Sequence, residues 1–419
     1  MNTQRTTRLV ITIVNVFLIL LIAGLMVIRV RIEREIHAGG GDDITTTALI
    51  RTPAKSEAPE PSSVPGAALT SPGGTGNAAE PLPTPGTPEP TPTPVPTPEP
   101  DPEYYTISFI GDCTLAENYD WRGRAQSYQS VVGDDYAYPF ANTADYFRND
   151  YLTLANLECI LSDHSYTSIE WYHFLAPAAY VNILTEGCVD FVTLANNHTQ
   201  DYGQQAYNDT LAALSAVNMP YAGENETYLF QRDDGLKVGI FCLYNDKVAN
   251  VSDSETKLRA GLDKLKAEGA EFTIAALHWG VEGAYSVSDT QIEVGHFCID
   301  AGYNVVYGSH PHRLEPVEHY KDGLIFYSMS NWSFGGHTNP SDYDTAIAQF
   351  TVEKIGDRVS VQSLTLVPCS ISSSSEINNY QPTPYEEGGE EWNRTLTKLD
   401  GTFEGADYNP NYQSLIYGT

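Results

Sequence analysis

Proline decides where this chain can fold. Sixteen of its 26 prolines lie between Arg51 and Pro102, in runs such as TPTPVPTPEP. Each proline removes a backbone donor and holds φ near the polyproline II value, so neither a helix nor a sheet ladder is built there. Residues 39–103, rich in Pro, Thr and Glu, are therefore expected to form a solvated, disordered, semi-rigid linker. Its Thr-Pro repeats offer sites for O-linked sugars. Folding is confined to the two segments that flank the linker.

The N-terminal segment is apolar. Val10 to Val30 carries only Thr12, Asn15 and Arg29 as polar residues, and it has the roughly 20-residue length that a bilayer core requires. Arg5 and Arg8 stand before it and Arg29, Arg31 and Arg34 at or beyond its end, so flanking charge does not set its orientation. The run is long for a secretory h-region and no small-x-small cleavage site comes directly after it. It therefore reads as an uncleaved signal-anchor in preference to a cleaved signal peptide. Residues 1–38 are expected to be a cytoplasmic N-terminus and one transmembrane helix. That makes the chain a single-pass protein of the cell membrane, with the rest of the chain extracytoplasmic.

Charge narrows the partners. There are 54 acidic against 23 basic residues, a formal charge of −31. Nucleic-acid binding is excluded by the lack of a basic face, and an anionic ligand needs a metal or a few well-placed Arg and Lys side chains. Cys113, Cys159, Cys188, Cys242, Cys298 and Cys369 are widely spaced, with no CxxC pair. They read as small buried hydrophobes, with one or two disulfides open to them outside the cell.

From Tyr104 onward, short β-branched runs alternate with amphipathic stretches. The runs YTISFIG, YLTLANLE, FVTLAN, LKVGIFCLY, FTIAALHW, NVVYGS and LIFYSMS predict strands. Helices are predicted over Phe140–Arg148, Ala178–Glu186, Gln204–Val217, Glu255–Glu268 and Thr290–Ala301. Gly187, Gly269 and Gly302 stand where helices should stop. This order predicts an α/β domain over 104–368, closed by an antiparallel hairpin that turns at Gly356-Asp357. The Ser-, Asn-, Tyr- and Gly-rich tail, 369–419, is expected to pack loosely or to be partly disordered.

The polar residues of this domain collect at strand ends. FIGD delivers Asp112, LANLE delivers Asn156 and Glu158, and LANNH delivers Asn196, Asn197 and His198. ALHWG delivers His278, and VVYGSHPH delivers His310 and His312. Ligands of open α/β sheets bind outside the carboxyl ends of the strands, so five strands ending this way form a constellation where any one alone would be a turn. Imidazole and carboxylate together suit manganese, zinc or iron, and the lack of cysteine pairs excludes a thiolate site. One or two divalent ions held there would polarise a phosphoryl or carbonyl group and activate water. Asn197 would supply an oxygen ligand, His198 a proton or an oxyanion contact, and Asp201 the group that orients His198.

In this order the motifs GDCTL, ANLE, ANNHTQDYG, HWGVE, GSHPHRLEPVE and FYSMSNWSF resemble the CapA-type family associated with poly-γ-glutamate capsule synthesis. That family is in turn similar to the calcineurin-like metallophosphoesterases. The resemblance covers about Tyr104 to Pro368 and implies a metallophosphatase-like β-sandwich flanked by helices, a four-layer αββα fold. It also implies that Asp112, Glu158, Asn197, His278, His310 and His312 are metal ligands and that His198 is catalytic, with Asp201 beside it. Asn156, Asn196, Glu282, Arg313 and Asn331 are the expected substrate contacts. Thr114 stands where the superfamily has a histidine, and Glu158 where it has an aspartate. The resemblance implies synthesis, export or attachment of an anionic polymer together with membrane proteins of capsule synthesis. Two roles fit it: a metal-dependent hydrolase or transferase, and a non-enzymatic subunit that holds polymer or partners in the same cleft.

Overall fold

The first strand sets the frame for the rest of the domain. In the computed structural model, residues 100–408 are described except for 119–120, 169–171, 246–250 and 407. The expected anchor, and the linker as far as residue 99, lie outside the described residues. Among the described residues no helix is long and apolar enough to cross a membrane.

The strands are β1 (Glu103–Thr114), β2 (Leu152–Leu157), β3 (Ile160–Leu161), β4 (Leu175–Ala176), β5 (Phe191–Thr193), β6 (Tyr221–Ala222), β7 (Thr227–Phe230) and β8 (Val238–Asn245). They continue as β9 (Phe272–Trp279), β10 (Val305–Ser309), β11 (Val317–Tyr320), β12 (Gly323–Phe326), β13 (Asn331–Phe334), β14 (Asp344–Ile355), β15 (Arg358–Ser370) and β16 (Thr383–Pro384). The helices are α1 (Tyr128–Val132), α2 (Ala144–Phe147), α3 (Val181–Glu186), α4 (Gly203–Ala216), α5 (Val251–Ala267), α6 (Asp289–Ala301) and α7 (Glu390–Leu399).

Two sheets carry the fold. One runs β16-β15-β14-β1-β2-β5-β6, with β13 also pairing β1, and the other runs β11-β12-β10-β9-β8-β7. Within them β1, β2, β5 and β6 are parallel, as are β8, β9, β10 and β12, so their carboxyl ends point one way in each sheet. The expected hairpin is β14 against β15, antiparallel along its length.

The apolar residues sort into three layers of core. Ile107, Phe109 and Leu154 of the first sheet pack with Ile240, Ile274 and Val305 of the second. The Phe109 ring lies edge-on to Tyr307, Phe326 and Phe350 at 5.1, 5.3 and 5.1 Å, arrangements that favour aromatic quadrupoles. Ile183, Leu184 and Leu214 of α3 and α4 cover the outer face of the first sheet with Val192 and Ala155. Leu258, Leu262 and Val294 of α5 and α6 cover the second with Phe241 and Ala275. The order is helix, sheet, sheet, helix, a mixed α/β architecture in which both parallel regions are buried on both faces. Helix α6 starts where SVSDTQ places it: Ser288 accepts from the Gln291 amide and Gln291 reaches back, a reciprocal cap.

Two regions differ from the sequence reading. The helix expected over Phe140–Arg148 is reduced to Ala144–Phe147, preceded by a 3-10 turn that includes Pro139. Of the tail expected to pack loosely or to be partly disordered, the part from Cys369 through α7 is instead packed, and residues 409–419 lie outside the described residues. Tyr380 and Leu399 are buried, and Lys398 is buried on Asp342 and Asp344. Its serines and asparagines bond inward: Ser372 Oγ donates to Asn379 Oδ1, and Asn378 Nδ2 donates to the Phe334 carbonyl. Polarity that looked like solvation is hydrogen bonding within the fold. All six cysteines are free thiols.

Candidate metal centre

Strand register places the site. β1 pairs in parallel with both β2 and β13, bringing Asp112 beside Asn156 and Asn331. The β1–β2 register shifts between Phe109 and Asp112, an irregularity of the kind that redirects a strand-end side chain. A Cβ on Gly111 would come within 2.3 Å of the Ser330 carbonyl, and one on Gly308 within 2.1 Å of the Tyr327 carbonyl. Glycine is therefore required at both steps into the site. In the other sheet Ser309 pairs with His278, and the chain then turns through His310 and His312 at φ 101 and 53. Such angles cost a non-glycine residue free energy and are found where the surroundings hold a functional geometry in place.

Asp112, Glu158, Asn197, His278, His310 and His312 come together, although they span two hundred residues of sequence. Ligand atoms of Glu158, His278 and His310 all lie within 4.8 Å of one another, as do those of Asp112, Glu158 and His312. Glu158 belongs to both groups. His278 Nε2 stands 2.8 Å from Asn197 Oδ1 and 3.5 Å from Glu158 Oε1. Because oxygens face that nitrogen, a proton or a cation must lie between them. His312 Nδ1 is 2.9 Å from Asn331 Oδ1 and 3.4 Å from Asp112 Oδ2, and its Nε2 is 3.9 Å from Glu158 Oε1.

The electrostatics are those of an incomplete cluster. Glu158 is fully buried, its Oε1 has no hydrogen-bond partner, and its Oε2 has only Thr114 Oγ1 at 3.4 Å. Burial first, and the charge of Asp112 second, push the Glu158 carboxyl up to about 8. Burial would lower His312, but the charge of Glu158 and the hydrogen bond and charge of Asp112 raise it to about 9. Burial and the neighbouring imidazoles hold His278 well below its ordinary value, so it is neutral, as a metal ligand must be. The buried cluster therefore holds at least one proton that a divalent cation would replace. Oxygen and imidazole donors around a shared carboxylate with an unpartnered oxygen fit one or two divalent ions.

His198 is built separately. Its Nδ1 faces both Asp201 oxygens at 3.1 and 3.0 Å, and Asp201 also accepts from the Phe174 amide at 2.9 Å. The Phe174 ring lies 4.6 Å from the imidazole, edge to face. Burial lowers the His198 pKa, but the Asp201 hydrogen bond and charge, with Glu158, leave it above its ordinary value.

The residues expected to touch substrate divide. Asn156 and Asn196 are buried beneath the ligands: Asn156 Nδ2 donates to Asp112 Oδ1, and Asn196 Nδ2 donates to Asn156 Oδ1 and the Leu157 carbonyl. Asn331 holds His312. Arg313 is already engaged within the fold, donating to the His312 carbonyl at 2.7 Å and Ser341 Oγ at 2.6 Å while its guanidinium lies over the Tyr285 ring. Of the five, only Glu282 is exposed, near enough for its charge to act on Glu158 and His312. Sequence reasoning missed Ser309, whose Oγ is 2.8 Å from His278 Nδ1, and Phe174. Ser309 lies inside GSHPH, but hydroxyls are common at strand ends and carry little signal there.

Comparison with known proteins agrees with the motif order. The family described as bacterial capsule synthesis protein PGA_cap matches residues 106–335. The capsule biosynthesis protein CapA of Bacillus anthracis is 26% identical over 297 residues, 65% of this chain and 69% of that one. The PGA biosynthesis protein CapA of Bacillus subtilis (strain 168) is 23% identical over 266 residues, 59% of this chain and 68% of that one. Among solved structures, a novel phosphatase from Mycoplasma pneumoniae aligns over 64% of this chain and 93% of its own, with 12% identity and a TM-score of 0.39.

Proposed function

This chain belongs to the bacterial capsule synthesis protein family PGA_cap, and from that membership we propose that it is a divalent-metal-dependent hydrolase or transferase acting on an anionic surface polymer of the poly-γ-glutamate type. The observation that carries the reading is the buried, shared and under-bonded carboxylate of Glu158. A protein gains little in stability by burying an acid that meets only imidazoles at 3.5 and 3.9 Å and makes no hydrogen bond through that oxygen, so the cluster reads as one built for a cation.

Asp112, Glu158, Asn197, His278, His310 and His312 would hold one or two manganese, zinc or iron ions, with Glu158 common to both groups. When bound, such ions polarise the scissile carbonyl or phosphoryl group and lower the pKa of water. The chain's own residues supply the rest. Asp201 fixes Nδ1–H of His198, leaving Nε2 as the atom that exchanges a proton with the reacting group. Phe174 keeps that imidazole from turning. Asn156 and Asn196 tie the β1, β2 and β5 ends together, so that the ligands keep their spacing without moving when charge develops.

Thr114, standing where the resemblance leads one to expect a histidine, favours the second reading, a polymer-holding subunit without catalysis. One experiment separates the two. The purified chain is incubated with poly-γ-glutamate, with and without Mn²⁺, and polymer length and free amino ends are followed over time. Catalysis predicts a change that needs the metal and is abolished in His198→Ala, which still binds metal. Binding without any change of length under every condition would establish the subunit role instead. In either role residues 1–38 are proposed to anchor the domain outside the cytoplasm, with the linker carrying it clear of the membrane and partner membrane proteins of capsule synthesis delivering the polymer.

A further inference from the structure

With Arg313 engaged, an acidic polymer needs another cation at the cleft, because the chain as a whole is strongly acidic. The loop after β1 provides one. It begins at Asn118, which bridges to Phe174, and proceeds by turns in which Trp121 N donates to the Asn118 carbonyl and Arg124 N to the Trp121 carbonyl. Its tip is Gly123 at φ 77, with no atom within 4 Å of where a side chain would start.

The loop is tied to two neighbouring segments. Arg122 Nη2 donates to the Leu175 carbonyl at 2.6 Å, next to the Phe174 that packs on His198. The Trp121 ring stands edge-on to His337 at 4.9 Å. His337 lies three residues beyond Phe334, whose ring is 5.5 Å from that of His312. Between these anchors, Trp121, Arg124, Ala125, Gln126, Ser127 and Thr338 line a cavity of about 240 Å³. Arg124 is exposed and, like Lys237, Arg259, Lys264 and Lys266, has no ion pair with an acid among the described residues; of these five it alone lines this cavity.

We propose that Arg124, with Trp121 and the cavity beside them, is a carboxylate-binding subsite that seats one acidic side group of the polymer at the rim of the metal cleft. The inference rests on the polymer reading given above. A guanidinium presents a planar fork of donors that matches a carboxylate, and the indole offers a flat apolar wall for the methylenes that carry it. The loop lies outside the ligand set, so the subsite selects what enters the cleft and takes no part in holding metal.

The test uses the full chain, with fluorescent poly-γ-glutamate oligomers as probe and neutral polyglutamine oligomers as control, in Arg124→Ala, Arg124→Glu and Trp121→Ala. Arg124→Ala is expected to raise the dissociation constant for the acidic probe about tenfold, and Arg124→Glu by more. The neutral probe, Mn²⁺ affinity and melting temperature should stay as in the wild type. Wild-type binding that survives Arg124→Glu within about twofold overturns the subsite and leaves the polymer reading standing. A wild-type chain that prefers neither probe overturns both.

Discussion

Two buried acidic pairs in this molecule have opposite finishes. At the C-terminal side, Asp342 and Asp344 meet Lys398, whose Nζ lies 2.7 Å from an oxygen of each, and Arg394 forks onto Asp344 at 2.9 and 2.7 Å. Tyr385 donates to the same carboxylate, and although burial alone would raise Asp344, these donors hold it below its ordinary value. At the strand ends, Asp112 and Glu158 are buried as deeply with no lysine or arginine between them, and Glu158 is pushed upward. The first pair is matched by fixed cations of the chain. The second meets only imidazoles, the arrangement proposed above as a cation site. Buried acid by itself does not mark a site; buried acid that the fold leaves unmatched does.

The largest effect is expected from breaking the matched pair. Lys398→Met leaves Asp342 and Asp344 short of a counter-charge in the interior and should cost about 3–5 kcal/mol in denaturant unfolding. A loss under about 1 kcal/mol would show that the two clusters do not differ in kind. The complementary change, Glu158→Gln, should weaken Mn²⁺ binding at least about a hundredfold while leaving the metal-free melting temperature unchanged or higher, since a buried acid with no lysine or arginine beside it is removed. Calorimetric titration and thermal unfolding of the same preparation check both halves.

Protonation sharpens the contrast further. A carboxyl raised to about 8 from 4.5 and an imidazole raised to about 9 from 6.5 both bind protons more tightly in the folded chain. Each contribution is whole below the ordinary value and is lost as pH rises through the folded one. Metal-free stability should therefore fall between about pH 4.5 and 9, most steeply between about 6.5 and 8 where both groups contribute. Saturating Mn²⁺ should flatten or reverse that slope, because the cation takes the protons' place. The matched pair, with Asp344 depressed, contributes in the opposite sense and only in acid. A metal-free profile flat from about 6.5 to 9 would contradict the electrostatics described for Glu158 and His312.

These two regions were not equally legible in the sequence. Asp112, Glu158, His278 and His310 end apolar strands, and a strand end carrying acid or imidazole has a local signature, so the cluster could be assembled from motifs alone. The need for the glycines of FIGD and VVYGS came only with the structure, which shows a carbonyl where a side chain would start. Asp342, Asp344, Arg394 and Lys398 have no such signature: two sit at the entry to a hairpin and two on a helix far along the chain, after a stretch whose serines and asparagines imitate a solvated tail. Asn156, Asn196, Asn331 and Arg313, expected as substrate contacts, already bond within the fold, and the sequence did not show this for a related reason. Residue type says that a side chain can bond, and only the fold says whether the bond is already made.

The smallest predicted effect concerns the hydroxyl behind a ligand. Ser309→Ala removes the nearer partner of His278 Nδ1, leaving Asn156 Nδ2 at 3.4 Å, and loss of such outer support should lower Mn²⁺ affinity about tenfold. Rescue is expected in Ser309→Thr, which restores the hydroxyl. No change in affinity for Ser309→Ala would mean that strand pairing and Asn156 orient the ring without the hydroxyl.

A divalent-cation site centred on Glu158 at the strand ends is tested most directly by diffraction from crystals grown with Mn²⁺, collected at the manganese absorption edge. One or two anomalous peaks are expected within coordination distance of Glu158, with His278 and His310 around one position and Asp112 and His312 around the other, and none in Glu158→Gln. A wild-type map with no peak at the cluster, or with its peak at Asp342 and Asp344, would contradict the assignment.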